Sequence, residues 1–193
     1  MIERYTRPEM GRLWTEEFKY GAWLRVELAV CEAYTRCGRI PPDAMARIRQ
    51  KARVDITRIL AIQERAKHEM IALLTSLEEQ VGSDSRFIHI GLTTSDVWDT
   101  ALALQLRDAA DLLIVGQARL RDALRTLALR HKDTLTVGRT HGVHAEPTSF
   151  GLKAAVWYTE AQRNLERLRR ARQAVAVGKL SGDRKSTRLN SSH

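Results

Sequence analysis

The amino-acid sequence predicts an all-α fold, in which an N-terminal helical domain is followed by the first long helices of a larger helical bundle. Apolar residues recur at helical spacing from about residue 96 to about residue 131, with no proline and a single glycine, Gly116. Such a helix spans about 54 Å and is several times longer than the usual globular helix of about 11 to 12 residues. A second helical pattern covers residues 148–177. Two such helices cannot bury their apolar faces against each other alone, so further helices must pack on them.

The composition is that of a soluble protein, with 44% hydrophobic and 28% charged residues in 193. No apolar run approaches the roughly 18 residues that a membrane span needs, and no apolar signal segment stands at the N-terminus. We therefore expect a cytoplasmic protein without a membrane partner. Cys31 and Cys37 are six residues apart on a predicted helix and point to different sides, so a disulfide between them is not expected.

The formal net charge of +9 has three explanations. Solvated helix faces rich in arginine are the commonest source of such an excess, a nucleic-acid partner is a second, and a substrate with several negative charges is a third. The sequence contains no interleaved aromatic and basic pattern of the kind that binds RNA or single strands. We expect no nucleic-acid partner.

Cap signals divide the first 80 residues into shorter helices. A hydroxyl, carboxylate or other capping side chain before an apolar pattern marks a helix start, and glycine marks an end. The expected starts are Thr15, Asp43, Asp55 and His68. Gly38 is expected to end the first of these helices, and the last extends to about Glu79.

Residues 81–94 are predicted to form a loop, which leads through the hydroxyl residues at 93–95 into the first long helix. Hydroxyl groups and free backbone N–H groups at a helix N-terminus suit an anion. Simple capping of the helix by Thr94 or Ser95 explains the same residues equally well. The local sequence leaves both interpretations open.

The second long helix is expected to bury one side and to expose arginines elsewhere. The expected buried side consists of Leu152, Val156 or Ala155, Leu165, Leu168, Ala171 and Val175. The arginines that crowd the remaining surface are Arg163, Arg167, Arg169, Arg170 and Arg172.

The stretch that joins the two long helices, residues 138–151, is the most unusual part of the chain. It runs Gly-Arg-Thr-His-Gly-Val-His-Ala-Glu-Pro-Thr-Ser-Phe-Gly. It contains more charged, hydroxyl and histidine side chains than a connection between two helices needs, so we predict an active-site loop. His141, His144 and Glu146 are weak evidence for a metal, because the spacing is not a typical one. Acid–base catalysis by a histidine and histidines satisfied in a packed loop are the other two interpretations.

This stretch is similar to the conserved loop of the adenylosuccinate lyase family, in the fumarase/aspartase superfamily. Residues 84–96, Asp-Ser-Arg-Phe-x-His-x-Gly-Leu-Thr-x-Ser-Asp, carry a second long match, and the resemblance covers residues 1–182. It implies an all-α homotetramer around a bundle built from long helices of every subunit. It also implies β-elimination of fumarate from adenylosuccinate, which leaves AMP, and from the succinylated aminoimidazole carboxamide ribotide of purine synthesis. No cofactor and no metal are implied.

By position, the resemblance implies two catalytic residues. His141 would protonate the leaving amine, and His68 would contact the substrate or its phosphate. The implied substrate-binding residues are Arg4, Tyr5, Arg86, His89, Thr93, Thr94 and Thr140. Of these, Arg4 and Tyr5 would clamp the phosphate, and the threonines would hold a succinyl carboxylate or stand beside His141. Two positions depart from the family pattern, since Thr94 stands where serine is common and Glu69 where aspartate is usual.

The expected domains are an N-terminal helical domain at 1–93, a partial central helical bundle at 94–182 and a non-native or disordered tail at 183–193. The match to the family stops at Gly182, and the family's serine-rich loop with the catalytic base lies beyond that point. We therefore expect a fragment that is inactive alone. The alternatives are another fumarate-releasing lyase of the superfamily, or a basic helical module that binds a protein or nucleic acid.

Overall fold

The structure, a computed structural model, describes residues 2–182, and most of them are helical. The α-helices of that range are α1 (Pro8–Arg12), α2 (Glu16–Arg36), α3 (Pro42–Lys51), α4 (Ile56–Ala66), α5 (Glu69–Val81), α6 (Thr94–Arg130) and α7 (Phe150–Val175). Two antiparallel strands, β1 (Leu135–Thr140) and β2 (Val143–Ser149), stand between α6 and α7. The all-α prediction is confirmed. The active-site loop predicted at residues 138–151 is corrected, because most of this stretch forms the β-hairpin.

The described chain divides into two compact units. Unit 1 consists of residues 2–106 and 176–182, and unit 2 consists of residues 107–175. The boundary falls inside α6, which continues from one unit into the other without a break. The predicted domain boundary at 93/94, at the start of that helix, stays a prediction. The predicted tail at 183–193 lies outside the described residues.

Unit 1 has a continuous apolar core to which five helices contribute. Each of α2 to α6 places at least one completely buried side chain in it, namely Tyr20, Ile48, Ile59, Leu73 and Val97. Burying a large apolar side chain contributes about 1.5 to 3 kcal/mol. This core fixes the helices from which the candidate site residues of unit 1 project.

The caps predicted at Thr15 and Asp55 are confirmed, whereas α3 begins at Pro42, one residue before the predicted start at Asp43. The hydroxyl of Thr15 accepts a hydrogen bond from the Phe18 N–H at 3.2 Å, and the carboxylate of Asp55 accepts one from the Arg58 N–H at 3.0 Å. Gly38 follows α2 with a left-handed φ of 71°. Residues 81–94 differ from the predicted loop, because Gly82–Phe87 form a 3-10 helix before the chain turns into α6.

In unit 2, α7 packs against the second part of α6 through small residues. Gly151, Ala154 and Ala161 are buried there, together with Leu165. A Cβ at Gly151 would lie 2.5 Å from the Ala128 carbonyl oxygen, so the start of α7 needs a glycine for its close approach to α6. An ion pair from Arg172 of α7 adds to this packing.

That ion pair joins Arg172 to Asp111 of α6 through two hydrogen bonds of 2.9 and 3.1 Å. The buried side predicted for α7 is partly right. Leu165 is completely buried, and Ala155, Leu168 and Val175 are half-buried. Leu152 and Val156 are instead 60% and 58% exposed, because the start of α7 faces α6 with Gly151 and Ala154.

Unit 2 exposes an apolar surface that the described chain does not cover. Its members are Leu112, Leu113, Val115, Leu120 and Leu129 of α6 and Leu152, Val156 and Trp157 of α7. Exposed apolar side chains in this number indicate an interaction site, since monomeric proteins seldom leave large apolar patches in water. It agrees with the expectation that further helices pack on this pair. Among residues 2–182, no helix has both the length and the apolar character to cross a membrane.

Candidate active site

The motif at 84–96 is anchored to the core of unit 1 at its first residue. The guanidinium of Arg47 on α3 donates two hydrogen bonds to Asp84, at 2.6 and 3.2 Å, and a third to Asp43 at 2.7 Å. This pairing keeps the pKa of Asp84 below its usual range. Arg86 follows on the same 3-10 helix with an exposed side chain, and its guanidinium lies 4.8 Å from the centre of the Phe87 ring. Arg86 is thus free to meet an anion at the surface of this unit.

Helix α2 holds the middle of the same motif. The Cys31 thiol lies 3.4 Å from the Phe87 carbonyl oxygen and donates a weak hydrogen bond to it. Burial raises the pKa of this thiol to about 12, so Cys31 is a neutral, unreactive group. Four residues earlier on α2, the fully buried carboxylate of Glu27 accepts a hydrogen bond from the His89 N–H at 3.0 Å. Its second oxygen lies 2.6 Å from Nδ1 of the His89 ring.

The backbone around His89 is unusual. His89 has a φ of 68° and Gly91 a φ of 69°, both in the left-handed region that few residues with a side chain adopt. A Cβ at Gly91 would lie 2.5 Å from the hydroxyl of Tyr34. The chain therefore reverses direction sharply at His89 and Gly91, and Thr93 and Thr94 lie at the start of α6.

The start of α6 is filled by a carboxylate of the chain itself. Asp96 is completely buried and accepts hydrogen bonds from the Thr93 N–H at 3.0 Å and from the N–H and hydroxyl of Ser181 at 2.9 and 2.8 Å. Burial raises the pKa of Asp96, but these hydrogen bonds outweigh it, and the pKa lies below the usual range. The predicted capping by Thr94 or Ser95 is corrected, because Asp96 bonds the Thr93 N–H. The anion-site interpretation of the hydroxyl run stays a prediction.

Residues 178–182 lie along this helix start. Lys179 exchanges two hydrogen bonds with Thr100 through its backbone, at 2.9 and 3.1 Å, and its ammonium lies 2.7 Å from the Ser95 hydroxyl and 3.1 Å from Asp99. Residues 178–182 therefore form an anchored strap. Sequence reasoning missed these contacts, because they join residues about 80 positions apart.

His68 caps helix α5. Its Nδ1 accepts a hydrogen bond from the Ile71 N–H at 3.3 Å, and its side chain is exposed. The preceding residue, Lys67, has a left-handed φ of 52° that turns the chain between α4 and α5. Glu69, the position that departs from the family pattern, pairs with Lys19 of α2 at 3.1 Å. The Glu69 side chain therefore has its own partner on α2, and the His68 ring still caps α5.

Arg4 and Tyr5 stand on a short 3-10 turn, Glu3–Tyr5, at the start of unit 1. Both are exposed, and the Arg4 guanidinium lies 4.8 Å from the centre of the Tyr5 ring. Stacking of this kind keeps a guanidinium next to a phenol hydroxyl. The pair is therefore available as a joint donor for an anionic group.

In unit 2, His141 occupies the tip of the β-hairpin. Thr140 pairs with Val143, so that His141 and Gly142 form a two-residue turn with φ values of 49° and 76°. Positive φ at both central residues is the pattern of a type I′ turn, whose twist suits a hairpin. Thr140 and His141 are both exposed. The sequence signal for this hairpin was Gly142, the second residue of the turn. It stands between two runs that contain the β-branched residues threonine and valine.

The register of the hairpin depends on a glycine in β1. The pairing shifts between Val137 and Arg139, and a Cβ at Gly138 would lie 2.6 Å from the Glu146 carbonyl oxygen. A two-stranded hairpin is only marginally stable by itself in water. The polar side chains at the tip of this exposed hairpin are therefore accessible, and a substrate or another polypeptide would complete a site there.

The candidate residues are thus distributed over both units, seven in unit 1 and two, Thr140 and His141, in unit 2. In unit 1, residues 84–96 are fixed by α2, α3 and the 178–182 strap. Between residues 2 and 182, no group of three histidine, cysteine or carboxylate side chains has the geometry to hold a metal ion.

Comparison with known proteins identifies the family. A lyase family model matches residues 3–192, nearly the whole chain. The chain belongs to this lyase family. It is 51% identical over 182 residues to an adenylosuccinate lyase of Synechocystis, and 46% identical over 182 residues to that of Bacillus subtilis. Each match covers 94% of this chain and 42% of the relative, so the chain spans less than half the length of these lyases.

Two solved structures share this fold. A fumarate lyase from a Mesorhizobium species superposes with a TM-score of 0.85 at 32% identity, over 95% of this chain and 44% of that one. A 3-carboxy-cis,cis-muconate lactonizing enzyme from Pseudomonas putida gives a TM-score of 0.85 at 32% identity, over 97% and 44%. The resemblance inferred from the two long motifs is confirmed at the level of the family.

Proposed function

We propose that this chain contributes to an adenylosuccinate lyase, which eliminates fumarate from adenylosuccinate to leave AMP and from the succinylated aminoimidazole carboxamide ribotide. The observation that carries the proposal is the 51% identity over 182 residues to a relative of that name. The fumarate lyase and the lactonizing enzyme of similar fold are less similar, at 32% identity each. The net charge of +9 suits a substrate with a phosphate and two carboxylates.

In this proposal His141 is the general acid for the departing amine, and His68 is its companion at the substrate. Exposure of both rings supports these roles, since each ring can reach a ligand. Arg4 and Tyr5 clamp the phosphate. Arg86, His89, Thr93, Thr94 and Thr140 supply the remaining contacts. Fixed donors of this kind stabilise the dianionic intermediate that forms when a proton leaves the carbon beside a carboxylate.

The proposal includes a homotetramer in the cytoplasm, with a small-molecule substrate, no cofactor, no metal, no nucleic acid and no membrane. Support for association comes from the exposed apolar side chains of α6 and α7, such as Leu113 at 52% and Val156 at 58% exposure. In a four-subunit bundle, these faces pack against equivalent helices of other subunits. The hairpin tip with His141 then meets residues of a different polypeptide.

The test is a chimera in which residues 1–182 of this chain replace the matching part of the Bacillus subtilis relative. We expect the chimera to release fumarate from both substrates and the 193-residue chain alone to release none, because the chain spans 42% of the relative. His141→Ala should lower kcat about 10²- to 10⁴-fold, the usual contribution of a general acid. The assay follows the loss of substrate absorbance under saturating conditions.

His144→Ala is the matched control, since His144 is an exposed histidine of the same hairpin without an assigned role. Its kcat should stay within about twofold of the parent chimera, as for surface substitutions. A folded, tetrameric chimera without activity on either substrate would refute the proposal. Activity on another fumarate-yielding amine would favour a different lyase, and steeply salt-dependent nucleic-acid binding would favour the basic-module alternative.

A further inference from the structure

A buried carboxylate with no role in the proposed chemistry lies against a candidate substrate residue. Glu27 of α2 is 0% exposed, and both of its oxygens face the same residue, His89. Oε2 accepts the backbone N–H of His89 at 3.0 Å, and Oε1 lies 2.6 Å from ring Nδ1. A fully buried glutamate is rare unless it is paired, so this contact explains why α2 tolerates the residue.

The chemistry of these groups determines where the ring proton lies. A carboxylate only accepts hydrogen bonds, so Nδ1 must donate to Oε1 at 2.6 Å. We propose that Glu27 is a positioning residue that holds the ring proton of His89 on Nδ1 and so presents Nε2 as the reactive atom. The inference rests on the proposed function, in which His89 contacts the substrate. In the described part of the chain Nε2 makes no hydrogen bond, and the side chain keeps 18% of its accessible surface.

His68 provides an opposite case in the same unit. Its Nδ1 accepts the N–H of Ile71 at 3.3 Å, so the proton of the neutral ring must lie on Nε2. The two candidate histidines therefore carry different tautomers. His68 presents an N–H donor, and His89 presents the lone pair of Nε2.

The Glu27 carboxylate also balances charge. When Nε2 of His89 takes a proton, the ring becomes an imidazolium with a donor toward the anionic ligand and a second donor toward Glu27. A hydrogen bond between charged groups is about twice as strong as one between neutral groups. Phosphate and carboxylate are the two anionic groups of the proposed substrate, and either fits this site.

The isosteric variant Glu27→Gln separates these roles from simple packing. The backbone N–H of His89 only donates, so the single amide oxygen of glutamine must accept it, and the NH₂ group then faces Nδ1. An amide NH₂ only donates, and the ring proton is forced onto Nε2. The variant therefore inverts the tautomer while it keeps the shape of the side chain.

The first test uses ring nitrogen chemical shifts of the complete chain labelled with ¹⁵N-histidine, with signals assigned by His89→Gln and His68→Gln variants. In the neutral ring of the unmodified chain, Nδ1 of His89 should be the protonated nitrogen, and in Glu27→Gln it should be Nε2. His68 should show Nε2 protonated in both proteins and serves as internal control. The wild-type measurement alone decides the tautomer, even if the variant folds poorly. A proton on Nε2 of wild-type His89, or an identical pattern in a folded variant, would overturn the inference.

The second test places Glu27→Gln in the chimera. We expect KM for adenylosuccinate to rise about tenfold with a smaller change in kcat, because a charge-assisted contact to the anion becomes a neutral one. An inverted tautomer with unchanged KM would overturn the positioning role. An inactive parent chimera, in contrast, would refute the proposed function and leave the tautomer result standing.

Discussion

Gly38 and Gly91 share a left-handed backbone but differ in their surroundings. Their φ values are 71° and 69°, so alanine is strained at both positions. A Cβ at Gly38 would have no neighbour within 4 Å, whereas a Cβ at Gly91 would lie 2.5 Å from the Tyr34 hydroxyl. The pair therefore separates the cost of backbone strain from the cost of a clash beside the site motif.

We predict that Gly91→Ala lowers the free energy of unfolding by about 2 to 4 kcal/mol, the sum of strain and overpacking. Gly38→Ala should cost only the strain, about 1 kcal/mol. Adding Tyr34→Phe to Gly91→Ala removes the clashing oxygen and should recover most of the difference. Urea unfolding monitored by circular dichroism measures all three. Equal losses for the two glycines would show that the Tyr34 contact is not limiting.

Sequence reasoning at this scale found residues with conspicuous chemistry and missed their supports. His89 was identified within a long motif and His68 by its position in the family resemblance, but Glu27 was not, because a glutamate inside a helix looks like a surface residue. The signal was its position on the buried stripe of α2 between Trp23 and Cys31. A carboxylate on an apolar stripe calls for a partner, but periodicity cannot say which residue that partner is.

At the scale of elements, the N-terminus of α6 depends on Asp96. Three donors converge on this buried carboxylate, one from Thr93 and two from Ser181. They join the end of the site motif to the strap at 178–182. The strap and the helix start therefore form one structural feature, although more than 80 residues separate them in sequence.

We predict that Asp96→Asn lowers the free energy of unfolding by about 2 to 3 kcal/mol, since hydrogen bonds to a charged group are lost and an NH₂ group faces donors. Asp99→Asn is the control, because Asp99 is exposed and its partner within residues 2–182 is Lys179 at 3.1 Å. It should cost less than about 1 kcal/mol. Guanidinium unfolding provides both values, and a similar loss for the two variants would contradict the prediction.

The same carboxylate gives a pH dependence whose sign follows from its lowered pKa. The contribution of Asp96 to the free energy of unfolding is fully present above the ordinary aspartate pKa of about 3.9. It is lost as the pH falls through the lower pKa of the folded state. The difference between the unmodified chain and Asp96→Asn should therefore shrink as the pH falls below about 4. A constant difference down to pH 2 would show that charge is not involved.

The elements that sequence predicted best are those whose signals are local. Caps at Thr15 and Asp55 and the length of α6 follow from neighbouring residues, and the structure confirms them. The hairpin at 135–149 was missed because the catalytic residue types of this stretch indicated a loop, although its glycine at the turn indicated a hairpin. The buried side of α7 was right at Leu165 but wrong at Leu152 and Val156, for a different reason. Helical periodicity finds an apolar side but cannot say whether the same chain or another one covers it.

At the scale of the whole molecule, the apolar side chains left exposed on α6 and α7 determine behaviour in solution. Leu113 and Leu120 are 52% and 51% exposed and lie seven residues apart on the same side of α6. Large exposed apolar patches mark interaction sites in soluble proteins. Helices of an identical chain offer a matching apolar face, and their packing removes both faces from water.

We predict that the 193-residue chain self-associates and that Leu113→Glu with Leu120→Glu shifts it toward its monomer mass of 21.9 kDa. A buried carboxylate without a partner at each position would oppose packing between copies, whereas in the monomer both positions are already solvated. Sedimentation velocity over a range of protein concentrations measures the mass. A wild-type chain that sediments as a monomer at every concentration would contradict the prediction.

The control for this pair of substitutions is Thr126→Glu, an exposed polar position on α6 in the same unit. It introduces the same kind of negative charge without removing an apolar side chain. Its association should match that of the unmodified chain if apolar contact drives assembly. Dissociation by Thr126→Glu as well would instead point to general electrostatic repulsion, since the like charges of two copies repel wherever they lie.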